Sequence, residues 1–214
     1  MRIVDLDPTD ESAIQQVAAL LVESFAVNWP DAWPDLESAL EEVRESFAAD
    51  RISRIALDQD GTVLGWVGGI SQYRGHVWEL HPLVVRVSQQ GKGIGRALVA
   101  DLEERVNERG GLTITLGTDD VNQQTSLTGI NLFPNVWEHV AHIRNLKQHP
   151  YEFYQKQGFV IVGVMPDANG LGKPDILMAK SVVRADVSMM GRGEASVPTQ
   201  HDTALAPKRS GISE

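Results

Sequence analysis

Apolar residues recur at helical spacing through Ile14, Val17, Ala18, Leu21 and Phe25, predicting a helix from about Glu11 to Ala26 with Asp10 or Ser12 as its cap. Ahead of it, Arg2 to Asp5 reads as a short strand. The period breaks at Trp29-Pro30-Asp31-Ala32-Trp33-Pro34-Asp35, where prolines interrupt regular structure, and resumes as a second helix over Leu36 to Ala48. Ser53 to Asp58 and Val63 to Gln72 read as a hairpin closed by Gln59-Asp60-Gly61, and Val77 to Val85 as a third strand of that antiparallel run. Leu98, Leu102 and Val106 mark another amphipathic helix, ended by Arg109-Gly110-Gly111. Leu112 to Leu116 is then a strand, Tyr151 to Gln157 a short helix, and Phe159 to Val164 and Asp175 to Lys180 the last strands, flanking the Pro166 to Pro174 loop. The segment 117–150 is polar and irregular apart from a helical stretch at Val136 to Leu146, and its length exceeds that of ordinary connections, a mark of functional loops. The pattern is α+β. From Arg184 the chain turns to Ser, Gly, Pro, Thr and scattered charge without periodicity, which predicts a disordered tail over 184–214 after one domain over 1–183.

Composition narrows the function classes. The chain has 214 residues and a formal charge of −10, and clustered Lys and Arg of the kind that neutralise phosphates are missing, which argues against a nucleic-acid partner. In the predicted tail four basic and four acidic residues cancel, so the negative charge belongs to the folded part. Asp31, Asp35, Glu37, Glu41, Glu42 and Glu45 concentrate acid in one early segment, either a solvated helix face or a wall that steers a cation toward a cleft. Without cysteine the chain has no disulfide, thiolate metal site or cysteine nucleophile. Apolar runs are too short for a membrane span, and acids interrupt the first residues where a secretory signal needs an apolar stretch, so a cytoplasmic protein with no membrane partner is expected.

The chemistry concentrates where the strand Pro82-Leu83-Val84-Val85 leads through Arg86 to Gln89 into Gln90-Gly91-Lys92-Gly93-Ile94-Gly95-Arg96 and the following helix. Glycines let backbone N–H groups approach a phosphate, and a helix N-terminus adds partial positive charge. Taken alone, the segment serves equally as a tight structural turn. It lacks the Gly-Lys-Ser/Thr ending of a P-loop and the G-x-G-x-x-G spacing of a dinucleotide fold.

It resembles the Gln/Arg-x-x-Gly-x-Gly/Ala signature of the GCN5-related N-acetyltransferase (GNAT) superfamily, and Tyr154-Gln155-Lys156-Gln157-Gly158-Phe159 is similar to that family's later Tyr-x-x-x-Gly-Phe element. The resemblance implies a mixed, mostly antiparallel sheet of six to seven strands flanked by about four helices, with a splayed acyl-CoA cleft. It implies acetyl-CoA as co-substrate and no metal. By the same resemblance the Val85 and Val87 backbone pairs with pantetheine, Gln90, Gly91, Lys92, Gly93, Ile94, Gly95 and Arg96 bind the pyrophosphate, and Tyr154 protonates the departing thiolate. Members often carry Asn and Ala seven and four residues before the tyrosine. This chain has Lys147 and Pro150 there, so a pantetheine contact from that Asn does not carry over, and Pro150 reads instead as a helix start.

Direct transfer to an amine needs the amine uncharged, so a proton acceptor must stand near the thioester. The strand before the glycines offers Glu79 and His81 on one face, Glu79 favoured as base or ammonium anchor and His81 second. Asp119 and Asp120, just past the Leu112 to Leu116 strand, are candidates for cation binding or for capping the loop, and Trp29 and Trp33 for a cleft wall or for helix packing. Gly117-Thr118-Asp119-Asp120, His149-Pro150-Tyr151-Glu152-Phe153-Tyr154 and Pro166-Asp167-Ala168-Asn169-Gly170 together resemble aminoglycoside 6'-N-acetyltransferases. That resemblance implies acetylation of the 6'-amine of a polycationic amino sugar, an antibiotic-modifying activity, and leaves a homodimer open, with the 117–150 segment covering the acceptor or forming a dimer contact. Polyamine, amino-acid and peptide amines are the alternative acceptors. An acyl-CoA-binding module without turnover is the non-enzymatic alternative.

Overall fold

The computed structural model describes residues 1–26 and 29–183; the tail from Arg184, with the disorder expected of it, lies outside the described residues. Seven strands form one sheet in the order β1-β2-β3-β4-β5-β7-β6: β1 (Arg2–Asp5), β2 (Arg51–Leu57), β3 (Val63–Gln72), β4 (Val77–Val85), β5 (Thr113–Asp119), β6 (Val160–Met165) and β7 (Asp175–Ser181). Among these strands only β4 and β5 run parallel, joined through Val77–Thr113, Trp78–Ile114 and Glu79–Thr115. The five helices are α1 (Glu11–Phe25), α2 (Leu36–Glu45), α3 (Ile94–Glu108), α4 (Val136–Ala141) and α5 (Tyr151–Lys156).

The helices start where their caps dictate. Asp10 accepts the Ala13 N–H at 3.0 Å and opens α1, and Asp35 accepts the Ser38 N–H at 2.9 Å and opens α2. Each helix buries the apolar stripe read from its spacing. Ile14, Val17 and Leu21 of α1 and Val43 of α2 pack with Ile55, Trp66 and Val84 on one face of the sheet, while Leu98, Leu102 and Val106 of α3 pack with Val67, Trp78 and Ile114 on the other. Helix α2 ends at Glu45, short of the expected Ala48: the Phe47 and Ala48 N–H groups bond three residues back, to Arg44 O and Glu45 O, so the chain leaves the α-helix through tighter turns, and the Ser46 hydroxyl donates to Val43 O at 2.6 Å. The expected helix over Val136 to Leu146 covers only Val136–Ala141, since Asn145 is drawn into a bridge with Thr125. Strand β5 runs on to Asp119, so that carboxylate stands on the sheet rather than beyond it.

The β3–β4 ladder carries the irregularity that shapes the site. Pairing steps from Val67–Leu83 to Gly69–Leu80, so His81 and Pro82 together face Gly68. A β-carbon at Gly68 would stand 2.2 Å from the His81 carbonyl oxygen, which is why this strand interior holds glycine. The bulge inverts β4: Trp78 and Leu80 belong to the α3 side, and Val84 to the α1 side.

Candidate active site

Beyond the pairs ending at Glu79 and Thr115, β4 and β5 no longer hydrogen-bond, although β4 continues to Val85 and β5 to Asp119. The gap between them opens a cleft of about 1150 Å³, walled by Leu80 to Leu83 and Val85 on one strand and Gly117 to Asp119 on the other. That volume lies just above the usual range of small-molecule pockets, about 300–1,000 Å³. Gln90 to Arg96, Lys156, Trp29, Trp33, His81 and Tyr154 complete its lining.

The glycine loop has the form of an anion cradle. Gly91 and Gly93 take φ of +75° and +85°, and Gly93 is the residue from which α3 starts. Backbone N–H groups of the first helical turn have no intrahelical acceptor and face the loop. The sequence supplies cations at the same place, Lys92, Arg96 and Lys156, so the donor set suits a pyrophosphate. Gln90 reaches back from the loop and donates to Val85 O at 3.1 Å, fixing loop to strand. Val87 is exposed in the short turn between them. The Phe153 ring lies 3.3 Å from where a β-carbon on Gly95 would stand, which packs α5 against the start of α3.

Helix α5 brings Tyr154 to the cleft. Its ring sits between Phe153 and Phe159, with centroids 5.1 and 5.7 Å away, and burial pushes the phenol up from its ordinary value, so it stays protonated through the neutral range. Pro150 precedes the first turn and accepts the Phe153 N–H at 2.9 Å. Lys147, in the place of the family's usual Asn, is exposed. Sequence reasoning missed the residue that anchors this helix. His149 is 2% exposed, donates from Nε2 to Asp119 O at 3.1 Å and accepts the Tyr151 N–H on Nδ1 at 3.2 Å, tying α5 to the end of β5. Burial holds its imidazole below the ordinary value, which keeps Nδ1 an acceptor. Its signals were its place immediately before a helix-starting proline and its membership of the His149 to Tyr154 segment.

Glu79 and His81 lie on the α1–α2 face, as their alternation predicts. The Glu79 carboxylate accepts from Gln72 Nε2 at 2.5 Å, while His81 faces Trp33 and Glu42. Tyr154 packs against the core on the α3 face. The carboxylate and imidazole of β4 and the phenol of α5 therefore lie toward opposite faces of the sheet. Trp33 meets Phe25 edge-on at 4.6 Å and Trp29 lies 5.8 Å from the same ring, so both tryptophans pack against α1 and wall the cleft at once.

The adjacent aspartates part company. Asp119 lines the cleft, accepting from Asn169 Nδ2 at 2.5 Å. Asp120 is fully buried and takes the backbone N–H groups of Gln124 and Thr125 and the hydroxyls of Thr125 and Thr128, which hold its carboxyl below the usual range despite burial. Its oxygens close the 120–128 loop and are not turned to the cleft. Opposite Asp119 on β7, Asp175 rests against Gly117 with Oδ1 buried and unpaired, and burial, then Asp119 and Glu79, push its carboxyl from 3.8 up to about 6. An acid whose folded pKa is raised costs stability once it ionises, so this cost grows from about pH 4 to 6 and is fully present above. Asp175→Asn is expected to raise Tm by about 2–4 °C at pH 8, with the gain vanishing toward pH 4, as thermal unfolding across that range checks. Among the described residues no group of three or more His, Cys, Asp or Glu is placed to hold a metal ion, and no helix is long and apolar enough to cross a membrane.

The Acetyltransferase (GNAT) family model matches residues 14–127. No curated protein matches the chain. Among solved structures, an aminoglycoside 6'-N-acetyltransferase complexed with coenzyme A is 43% identical, with 86% of this chain and 98% of that one covered and a TM-score of 0.80. The aminoglycoside 6'-N-acetyltransferase from Enterococcus faecium is likewise 43% identical over 86% and 98% of the two chains, with a TM-score of 0.78. Aminoglycoside 6'-acetyltransferase type Ii is 38% identical over 86% and 99%, with a TM-score of 0.66. With the splayed β4–β5 gap, the glycine cradle at α3 and these likenesses together, the chain belongs to the GNAT acetyltransferase family and is an acetyl-CoA-dependent N-acetyltransferase.

Proposed function

We propose that this enzyme acetylates the 6'-amine of aminoglycosides by direct transfer from acetyl-CoA. The observation that carries the acceptor is the likeness, at 43% identity over 86% of this chain, to aminoglycoside 6'-N-acetyltransferases. An acidic, tryptophan-walled acceptor end, with His81 and Asp119 in its wall and Glu79 on the same strand face as His81, supports that reading. Residues 1–183 act as one acetyltransferase domain in the cytoplasm, and neither nucleic acid nor membrane is a partner. The exposed apolar side chains of Phe133 and Trp137 in the 117–150 segment support a homodimer contact there.

In this reading Gln90 to Arg96 hold the pyrophosphate, and the strand edge at Val85 with Val87 holds the pantetheine arm. The acceptor enters from the α1–α2 face, where Glu79, with His81 second, takes a proton from the ammonium and Asp119 binds a neighbouring cation. Asp120 contributes by fixing the loop that carries Asp119's neighbours rather than by touching substrate. The freed amine attacks the thioester carbonyl, the C–N bond forms as the C–S bond breaks, Tyr154 gives its proton to the leaving sulfur from the opposite face, and the second proton shed by the nitrogen as it becomes an amide restores the phenol through solvent. Lack of cysteine removes the most nucleophilic side chain through which an acyl-enzyme forms.

Purified protein with acetyl-CoA and a thiol-detecting reagent, run against aminoglycosides, polyamines and amino-acid amines, tests this. Thiol release above background hydrolysis is expected with aminoglycosides bearing a 6'-amine and not with 6'-hydroxyl analogues. Turnover confined to polyamines or amino acids replaces the acceptor, and coenzyme A binding without turnover of any amine returns the binding-module alternative.

A further inference from the structure

The acidic segment of the sequence does not act as one wall. Asp31, Glu37, Glu41 and Glu45 are exposed, and Asp35 is engaged as the cap of α2. Glu42 differs: its side chain is 21% exposed and its Oε1 lies 3.9 Å from His81 Nε2, across from the cleft wall of β4. Trp33, just before α2, stands with its ring centroid 6.1 Å from that of His81. Three groups from separate parts of the chain thus meet: Trp33 and His81 line the cleft, and Glu42 adjoins His81.

We propose that Glu42 and His81, against the Trp33 ring, form a subsite for a second ammonium group of the acceptor, one that is bound and not acetylated. The inference rests on the reading of the site as taking a cationic amine. A separation of 3.9 Å is too long for a direct hydrogen bond. It is short enough that one N–H-bearing group at about 2.9 Å from each atom bridges both. A carboxylate accepts such a donor in any rotamer, and the imidazole accepts it when its own proton is on Nδ1. The tryptophan face adds a surface that favours cations within about 6 Å. With four-fifths of the Glu42 side chain covered, its charge is less screened than that of its exposed neighbours on α2. His81 is two residues from Glu79 on one strand face, about 7 Å along the strand, so the subsite selects acceptors whose reacting and bound amines are separated by about that distance. A polyamino sugar meets this condition and a monoamine does not.

The test compares kanamycin A with the monoamine 6-amino-6-deoxyglucose on the unaltered enzyme, Glu42→Gln and Glu42→Asp. Glu42→Gln is expected to raise the kanamycin KM about tenfold, with kcat and the acetyl-CoA KM within about twofold and the monoamine kcat/KM unchanged. Glu42→Asp, which keeps the charge, is expected to fall between the two. Equal losses for kanamycin and the monoamine, a shift in the acetyl-CoA KM of the same size, or an unchanged kanamycin KM overturns the subsite. Should the unaltered enzyme turn over no aminoglycoside, the acceptor reading fails by itself, and the subsite is judged by calorimetry of spermidine binding to the coenzyme A-loaded protein. There, about tenfold weaker binding by Glu42→Gln sustains it, and equal or undetectable binding by both proteins overturns it.

Discussion

Tyr154→Phe is expected to lower kcat by about a hundredfold or more while acetyl-CoA affinity stays within about threefold. The phenol is kept protonated by burial, and its ring is held by Phe153 and Phe159, so removing one oxygen leaves helix α5 and the cleft wall in place. In the proposed mechanism what is lost is the proton delivered to sulfur, which matters in the transition state and not in the bound ground state. Steady-state kinetics with calorimetric binding of coenzyme A separates the two quantities. A kcat within threefold of the original enzyme would remove Tyr154 from the acid's role. Because leaving-group protonation matters most for a poor leaving group, an acetyl thioester of lower thiol pKa should recover part of the lost rate.

Gly68→Ala is expected to be the most damaging single-methyl change in the sheet. Its β-carbon meets the His81 carbonyl oxygen at 2.2 Å and the His81 carbonyl carbon at 3.0 Å, backbone atoms that cannot swing aside as a side-chain tip can. Overpacking of this kind costs about 3 kcal/mol, a Tm lower by roughly 6–12 °C for a domain of this size. Relief requires β4 to move where it carries His81 and Pro82, so the acceptor KM should rise in the fraction that stays folded. Differential scanning calorimetry reads the first effect, and a Tm within 2 °C of the original would show that the bulge accommodates the methyl.

Local pattern carried most of the elements. The stripes of α1 and α3, the Asp60-Gly61 hairpin and the alternation of Val77 to Val85 are properties of neighbouring residues, and they appear where spacing puts them. The glycine cradle was legible for the same reason, since a short segment contains both its turn residues and its helix start. Long-range pairing was not. Nothing near Asp120 reveals that Thr125 and Thr128 will turn their hydroxyls onto it, so two adjacent aspartates looked equivalent although one is buried in the loop and the other faces the cleft. Asp175 read as an ordinary acid at a strand start, because its burial against Gly117 and the repulsion of Asp119 come from a strand far away in sequence. Val63 to Gln72 read as a plain strand, with no sign that Gly68 faces the doubled positions of β4.

The short parallel seam between β4 and β5 makes the sheet two leaves on one spine. Val77, Trp78 and Glu79 are stitched to Thr113, Ile114 and Thr115, and beyond that point no strand hydrogen bond fixes how far the leaves diverge. Under the stitching, Trp78 and Ile114 are buried in one core cluster with Val106 of α3. The gauge of the opening into which a thioester must fit is therefore set by side-chain volume in the core beneath the spine. Repacking that spine is a way to retune acyl-chain length without altering any residue that lines the cleft.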